Sequence, residues 1–404
     1  MDLSGLQYLV VGAGLSGLTV AERLAAFGRR VAVVEEASEL GGLCAAYVDA
    51  ESGIECHLHG THVFHTENAA VYRYLARFAQ LNHYRHRVLA RHGRRSYPLP
   101  VNLSTINSFY GLDLTPRQAA GMLRILARTH APVDVLEPPC EGVQILCPPR
   151  PPGDATERKR LPELKAPANL REAAIGKMGV ELYEAFVQGY SRKHWGVDPA
   201  RLPAALADRI PVRTDYNCDY FTDRWQGLPV DGYPALFRKM TVGLQVHLET
   251  PFAAVRELLP EGCTVVWTGP LDAWFNYAHG RLPWRGVRQE FETVAVADHQ
   301  GAAVINHVDE RVPYTRVHEY RHLHPERNRQ SKRRTVISRE YPDAGAAPAY
   351  PAEPDGAMAR RYRQAADAAR GVVFCGRLAT YRYLNMDEAI GQALDCAEAA
   401  CRTI

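Results

Sequence analysis

Residues 6–37, "LQYLVVGAGLSGLTVAERLAAFGRRVAVVEEA", decide the fold. Tyr8 to Val11 is an unbroken apolar run, the pattern of a strand buried on both faces. Gly12, Gly14 and Gly17 follow in G-x-G-x-x-G spacing, and a helical pattern then runs to Ala26. Gly28 can end that helix, and "RRVAVVE" reads as a second buried strand closed by Glu35, 18 residues past Gly17. Each position has a task in dinucleotide binding. Gly12 allows the tight turn, Gly14 lets the backbone approach a pyrophosphate, and Gly17 permits close packing of helix on strand. The helix amino terminus, with Leu15 and Ser16, presents free N–H groups to phosphate. Glu35, with Glu36 beside it, suits the diol of an unphosphorylated ribose.

The next turn, "EASELGGLCAAY" (residues 36–47), places Gly41, Gly42 and Leu43 a few residues past the acid. A glycine pair there resembles the FAD-binding class related to amine oxidases, in which this loop passes beside the ribityl chain and flavin. The expected fold class is α/β: a discontinuous Rossmann-like FAD-binding domain of the glutathione-reductase and amine-oxidase type. A helical domain and an antiparallel β-sheet domain are inserted in it.

Composition excludes several other classes. The 46% hydrophobic and 23% charged residues are those of an ordinary globular protein, and 404 residues are long for one core. A net charge of +3, with no run of five like charges, gives no footprint for nucleic acid. Nine scattered cysteines, odd in number and without a Cys-x-x-Cys pair, read as reduced thiols. No basic segment precedes the first apolar run, and no stretch reaches the roughly 18 apolar residues of a membrane span. The expectation is a cytoplasmic protein without membrane contact.

The pattern along the chain divides it further. Residues 1–84, 228–272 and 365–404 are assigned to the FAD-binding domain, the last segment returning as strand, glycine, polar-aromatic loop and helix. Residues 104–215 carry helical periodicity and form the helical domain. Within it, 131–167 holds nine of the chain's 27 prolines, so it cannot be a regular helix and reads as a surface insertion. Residues 85–103, 216–227 and 273–350 form the antiparallel sheet domain, on short runs such as "QEFETVAV" and "RRTVIS".

Eight collinear segments then resemble bacterial UDP-galactopyranose mutases: "HGTHVFHT", "SYPLPVNLSTINSFYG", "GYSRKHWG", "LPAALADRIPVR", "YFTDRWQGLPVDGY", "TGPLDAWFNY", "AVINHVDERVPYTR" and "GRLATYRYLNMDEAI". The resemblance covers nearly the whole chain outside the proline-rich insertion. It implies an isomerase that interconverts the pyranose and furanose forms of a nucleotide-diphosphate sugar, as in galactofuranose formation for carbohydrate biosynthesis. The family's cofactor is FAD, active when reduced, whose N5 attacks the anomeric carbon and displaces the nucleotide. NAD(P)H or a reductase supplies the electrons, a loop at about 201–213 closes over the substrate, and the expected assembly is a homodimer. The alternative from the same fold is an FAD-dependent oxidoreductase of the amine-oxidase type.

The resemblance also assigns residues. Arg209 matches the family's mobile-loop arginine and Arg316 its fixed one. A guanidinium suits the charge left on a departing pyrophosphate. Phe186 and Tyr190, four apart and so on one helix face, fall around the uracil; Trp195 lines the cleft, and Asn306 contacts the base. Tyr220, Tyr314, Tyr350 and Tyr383 match tyrosines near the diphosphate or sugar. Gly376, Arg377, Asn385 and Met386 come beside the flavin. Asn385 is also a good N-cap for a helix whose dipole favours an anionic reduced flavin. The family usually has aspartate where this chain has Asn385, which leaves the sugar open: galactose, a 6-deoxyhexose, an N-acetylhexosamine or a pentose.

The segment "HLHGTHVFHT" (57–66) holds four histidines, His57, His59, His62 and His65. The H-x-H spacing of the first pair puts them on one strand face, as some metal sites do. The resemblance instead sets His62 against the flavin and His65 on the substrate side, leaving His57 and His59 as strand residues; no metal is expected.

Overall fold

Tyr8–Val11 (β1) and Val31–Val34 (β2) are strands joined through the helix Leu15–Ala26 (α1), as the apolar runs predict. The computed structural model describes residues 3–129, 166–327 and 333–402. The proline-rich segment 131–167 therefore lies outside the described residues except for its last two.

β1 is central in a five-stranded parallel sheet ordered Val372–Phe374, Thr264–Trp267, β1, β2, Gln245–His247. The register is set by Val10 opposite Val266 on one side and Val33 on the other. All four residues of β2 are buried, which is why that stretch reads as a continuous apolar run rather than an alternating one. Thr264–Trp267, within the 228–272 stretch assigned to the FAD-binding domain, pairs parallel with β1. The carboxy-terminal helix Met386–Arg402 returns to this sheet's first layer, where Tyr8 donates its hydroxyl to Ala400 O at 3.0 Å.

Where the sequence suggests three bodies, the chain forms two compact units. The first comprises Met1–His86, Phe221–Val304 and Arg316–Ile404; the second comprises Arg87–Tyr220 and Ile305–Thr315. The strand-rich stretch after residue 273 thus joins the FAD-type fold, apart from 305–315. In the first unit, Trp284–Val294 pairs antiparallel with Thr335–Asp343, whose other edge takes Arg316–Glu319, with Arg316 opposite Glu340.

The second unit is built from the hairpin Val88–His92/Arg95–Leu99 and a set of helices. The helical periodicity from Leu103 to Arg128 is two helices, Leu103–Tyr110 and Pro116–Thr129, because Gly111 takes a left-handed conformation at φ 67°. Leu170–Met178 is started by Asn169, which accepts from Glu172 N, while Glu172 reaches back to Ala168 N at 2.9 Å. The core of this unit gathers Ile106, Leu126, Met178, Leu182 and Phe186. No helix among the described residues is long and apolar enough to cross a membrane. The described cysteines are all free thiols.

Candidate active site

The cofactor cradle follows from β1 and the turn after it. α1 begins after Gly14 with neither a side-chain cap nor an acidic residue in its first turn, so its leading N–H groups are not taken by the chain's own carboxylates. Gly14 forms a parallel bridge with Gly41, and a Cβ on Gly14 would lie 3.7 Å from Gly42 Cα. A Cβ on Gly17 would lie 2.0 Å from Gly12 O, so α1 can approach β1 this closely only without a side chain there. Glu35 accepts from Ala13 N at 2.7 Å and from Ala37 N at 3.0 Å, which fixes its carboxylate at the end of β2. Two bare turns facing one helix terminus, with a positioned acid beside them, fit the ADP part of a dinucleotide.

The far end of the cradle is the turn before the last helix. Gly376, at φ +93°, sits against Ser16, and its N–H donates to Gln392 at 2.7 Å. Arg377 donates through Nε to Leu384 O at 2.9 Å and through Nη1 to Ala349 O, and its guanidinium lies over the Tyr383 ring. Asn385 is the residue before the helix, but the capping bond runs the other way. Glu388 reaches back to accept from Asn385 N at 2.6 Å, and Asp387 accepts from Thr66 at 2.9 Å. The first turn therefore carries two carboxylates, which weakens the expected pull of the helix dipole on an anionic flavin.

His59 falls in the turn after the strand Glu55–His57, so it does not share the strand face with His57 that the spacing suggests. His57 is buried on the strand Glu55–His57; its Nδ1 accepts the backbone N–H of His62 at 3.1 Å, and its Nε2 has no partner among the described residues. His62 Nδ1 donates to Gly60 O at 2.9 Å, so its free lone pair is on Nε2. Burial and the Arg377 charge hold its pKa down to about 4. His65 lies on Phe64–Thr66, stacks on Phe221 at 3.7 Å and meets Asp223 Oδ2 through Nδ1 at 3.1 Å. The one group of three possible metal donors among the described residues is Asp298, Glu319 and His322, which includes none of these four.

A feature not read from the sequence ties this segment to Arg316. Glu340, 1% exposed, receives Arg316 Nη1 at 3.1 Å on one oxygen. On its other oxygen it receives His318 Nε2 at 3.2 Å and Gln289 Nε2 at 3.2 Å. His318 Nδ1 in turn meets Thr61 Oγ1 at 2.6 Å, within the turn that carries His62. One buried carboxylate thus orients the fixed arginine and the histidine turn together. The signal available in the sequence is a glutamate at an inward position of the strand "TVISREYPD".

In the second unit the described geometry reaches the other assigned residues. Glu184–Gln188 is a π-helical turn leading into the helix Gly189–Trp195. Phe186 is 5% exposed and packs edge-on against Tyr97 and Phe109, so it belongs to the unit's core. Tyr190 faces His194 instead, with near-parallel rings 5.8 Å apart. Tyr190 packs against the edge of the same core that holds Phe186. Asn306, on the strand Val304–His307, is buried, and its Oδ1 has no hydrogen-bond partner among the described residues. Tyr314 packs edge-on against His307. Tyr220 and Trp195 are half-buried, and Arg209 is exposed at the end of the short helix Ala204–Arg209. In the first unit, Tyr350 lies 5.8 Å from Tyr383, and burial raises its hydroxyl pKa.

Comparison with known proteins agrees with this geometry. The family model for UDP-galactopyranose mutase matches residues 185–383, and one for an NAD(P)-binding Rossmann-like domain matches residues 10–78. A probable UDP-galactopyranose mutase of Klebsiella pneumoniae is 33% identical, covering 96% of this chain and 93% of that one. A dTDP-fucopyranose mutase of Escherichia coli is 32% identical, covering 96% and 97%. The crystal structure of a reduced UDP-galactopyranose mutase superposes with a TM-score of 0.71 at 14% identity, over 99% of this chain and 94% of that one. This chain belongs to the UDP-galactopyranose mutase family of isomerases, with FAD as the cofactor its Rossmann-type cradle accommodates.

Proposed function

We propose that this mutase converts the pyranose form of a UDP- or dTDP-linked sugar to the furanose form, and back, with no net redox change. Asn306 is the observation that carries the reading of a bound base. A buried carboxamide oxygen without a partner is costly unless a ligand donor completes it. The N3–H of uracil or thymine is such a donor; the N4 amino group of cytosine could also donate, and the relatives named for UDP- and dTDP-sugars favour the first two bases. The two relatives, one named for a UDP-hexose and one for a dTDP-6-deoxyhexose, are nearly equally similar, so galactose and 6-deoxyhexoses lead among the sugars.

When bound and reduced, the flavin supplies the nucleophilic chemistry at the anomeric carbon. The chain's own residues position and compensate. Arg316, fixed by Glu340, meets the charge that develops on the departing diphosphate, and Arg209 adds a second guanidinium. His65, held through Nδ1 by Asp223, keeps Nε2 for a proton of a sugar hydroxyl when the ring opens and closes. His62 stays neutral through its low pKa and leaves an acceptor at Nε2. Reduction by NAD(P)H or a reductase, a homodimeric assembly and a cytoplasmic location belong to the same proposal. The test is anaerobic incubation of dithionite-reduced enzyme with a panel of UDP-, dTDP- and CDP-sugars. Furanose product from UDP- or dTDP-sugars without consumption of reductant is expected. Stoichiometric flavin oxidation by the sugar would instead place the chain with the flavin oxidoreductases.

A further inference from the structure

We propose that Lys193 is a positioning residue for base recognition: its ammonium, ringed by main-chain carbonyls, holds the segment that carries Asn306 and Tyr314. The inference rests on the nucleotide reading given above for Asn306. Lys193 lies between Tyr190 and Trp195 in "GYSRKHWG", and the reaction as described gives it no task.

Lys193 Nζ donates to His307 O at 2.6 Å, Asp309 O at 2.9 Å, Val312 O at 3.0 Å and Tyr314 O at 2.9 Å. Four carbonyl dipoles aimed at one point repel each other unless a cation sits between them. The acidic side chains of the segment are engaged elsewhere. Asp309 is bound by Arg311 at 2.6 Å and Glu310 by Arg192 at 3.0 Å. The hydrogen bonds of the ammonium thus go to the backbone, and Asp309 and Glu310 add a charge attraction to it.

The approach of helix to segment is equally specific. Gly189, one turn before Lys193, lies so close that a Cβ there would be 2.3 Å from Val308 O. The segment is closed at its base by His307 N–H to Thr315 O at 2.8 Å, and Lys193 gathers the carbonyls between. Without it the turn at 309–312 keeps the local bond from Val312 N to Asp309 O and the Arg192–Glu310 pair, but loses the four carbonyl bonds that fix its main chain to the helix. Asn306 and Tyr314 flank the gathered carbonyls directly, so a loosened segment displaces both.

Partial burial lowers the pKa of Lys193 to about 8, against the pull of Asp309 and Glu310. The other charged or titratable groups around it are Arg192, His194 and Asp198 on its own side. On the segment and the adjoining strand they are His307, Arg311, Tyr314 and Arg91. Rising pH through about 8 removes the charge and one N–H, leaving two donors for four carbonyls.

The experiment compares UDP affinity and steady-state turnover of the holoenzyme for wild type, Lys193→Met and Asn306→Ala. Lys193→Met should weaken UDP and raise KM for the nucleotide sugar by about tenfold or more, with kcat changed far less and flavin content unchanged. Unchanged UDP affinity in Lys193→Met, with Asn306→Ala weakened, overturns the role of Lys193. Unchanged affinity in Asn306→Ala overturns the nucleotide reading itself, whatever Lys193→Met does. Should Lys193→Met yield no folded holoenzyme, wild-type UDP affinity is followed from about pH 7 to about pH 9. A fall through this range that Lys193→Arg flattens supports the proposal, because arginine stays charged. A flat wild-type profile refutes it.

Discussion

Acidification should unfold this protein through its histidines before most of its carboxylates respond. His57, His62 and His86 are held neutral: burial lowers all three, His62 to about 4 and His86 to about 3. Geometry gives the same answer for His57, whose Nδ1 already accepts the His62 N–H and could take a proton only by losing that bond. In the unfolded chain each titrates near 6.5. A folded pKa below the unfolded one means that the stability is fully present above about pH 6.5 and is lost as pH falls toward the folded values. At about pH 5 the unfolded imidazole is roughly 1.5 units below its own pKa, which favours unfolding by about 2 kcal/mol per histidine. The three together then reach about 6 kcal/mol, comparable with the whole stability of many domains. That sum depends little on the folded values, provided they lie well under 5. His322, raised by Glu319 and Asp298, works in the opposite direction and offsets part of the loss. Urea unfolding of the holoenzyme, followed by circular dichroism at about pH 7.5 and about pH 5 at fixed salt, measures the effect. A variant His57→Gln, which can accept the same N–H but does not titrate, should lose about 2 kcal/mol less over that range. Equal urea midpoints at both pH values, or an unaltered pH slope in His57→Gln, would refute the reasoning.

Other outcomes follow from the cradle and the arginines. Gly17→Ala should purify with little FAD, read from the flavin absorbance per protein, because its Cβ would collide with Gly12 O, an immovable backbone atom. Glu340→Gln should keep FAD but lower kcat/KM by about tenfold or more, since Arg316 and His318 lose the charged centre that orients them. Arg316→Ala and Arg209→Ala should each lose most turnover while retaining FAD. Wild-type rates in both would remove the diphosphate role.

The parts of the molecule legible in the sequence are those written by neighbouring residues. β1, the glycine turn, α1 and β2 could be read because each step depends on a local apolar period or a turn only glycine makes. The place of Thr264–Trp267 beside β1 was not legible, since its partner is some 250 residues away and its burial depends on that pairing. The π turn at Glu184–Gln188 left no mark in the spacing, so the packing of Phe186 on Tyr97 and Phe109 was not legible. Glu340 and Lys193 were hidden for a different reason. A charged residue on a strand or helix ordinarily faces water, and only the tertiary structure shows Arg316, His318 or a ring of carbonyls gathered about it.

The bridge between Gly14 and Gly41 bears on how such a protein can change its substrate. The cofactor is met there by main chain: Gly41 and Gly42 both take positive φ, and a Cβ on Gly41 would lie 2.7 Å from the Phe237 ring. The features assigned to base and sugar are all side chains: Asn306, the tyrosines, Asn385 and the arginines. Mutation can therefore explore sugars and bases one side chain at a time while the cofactor grip stays invariant. A lineage built this way can diversify its substrates without first surviving the loss of its flavin, and Asn385 is a position where this chain has already moved.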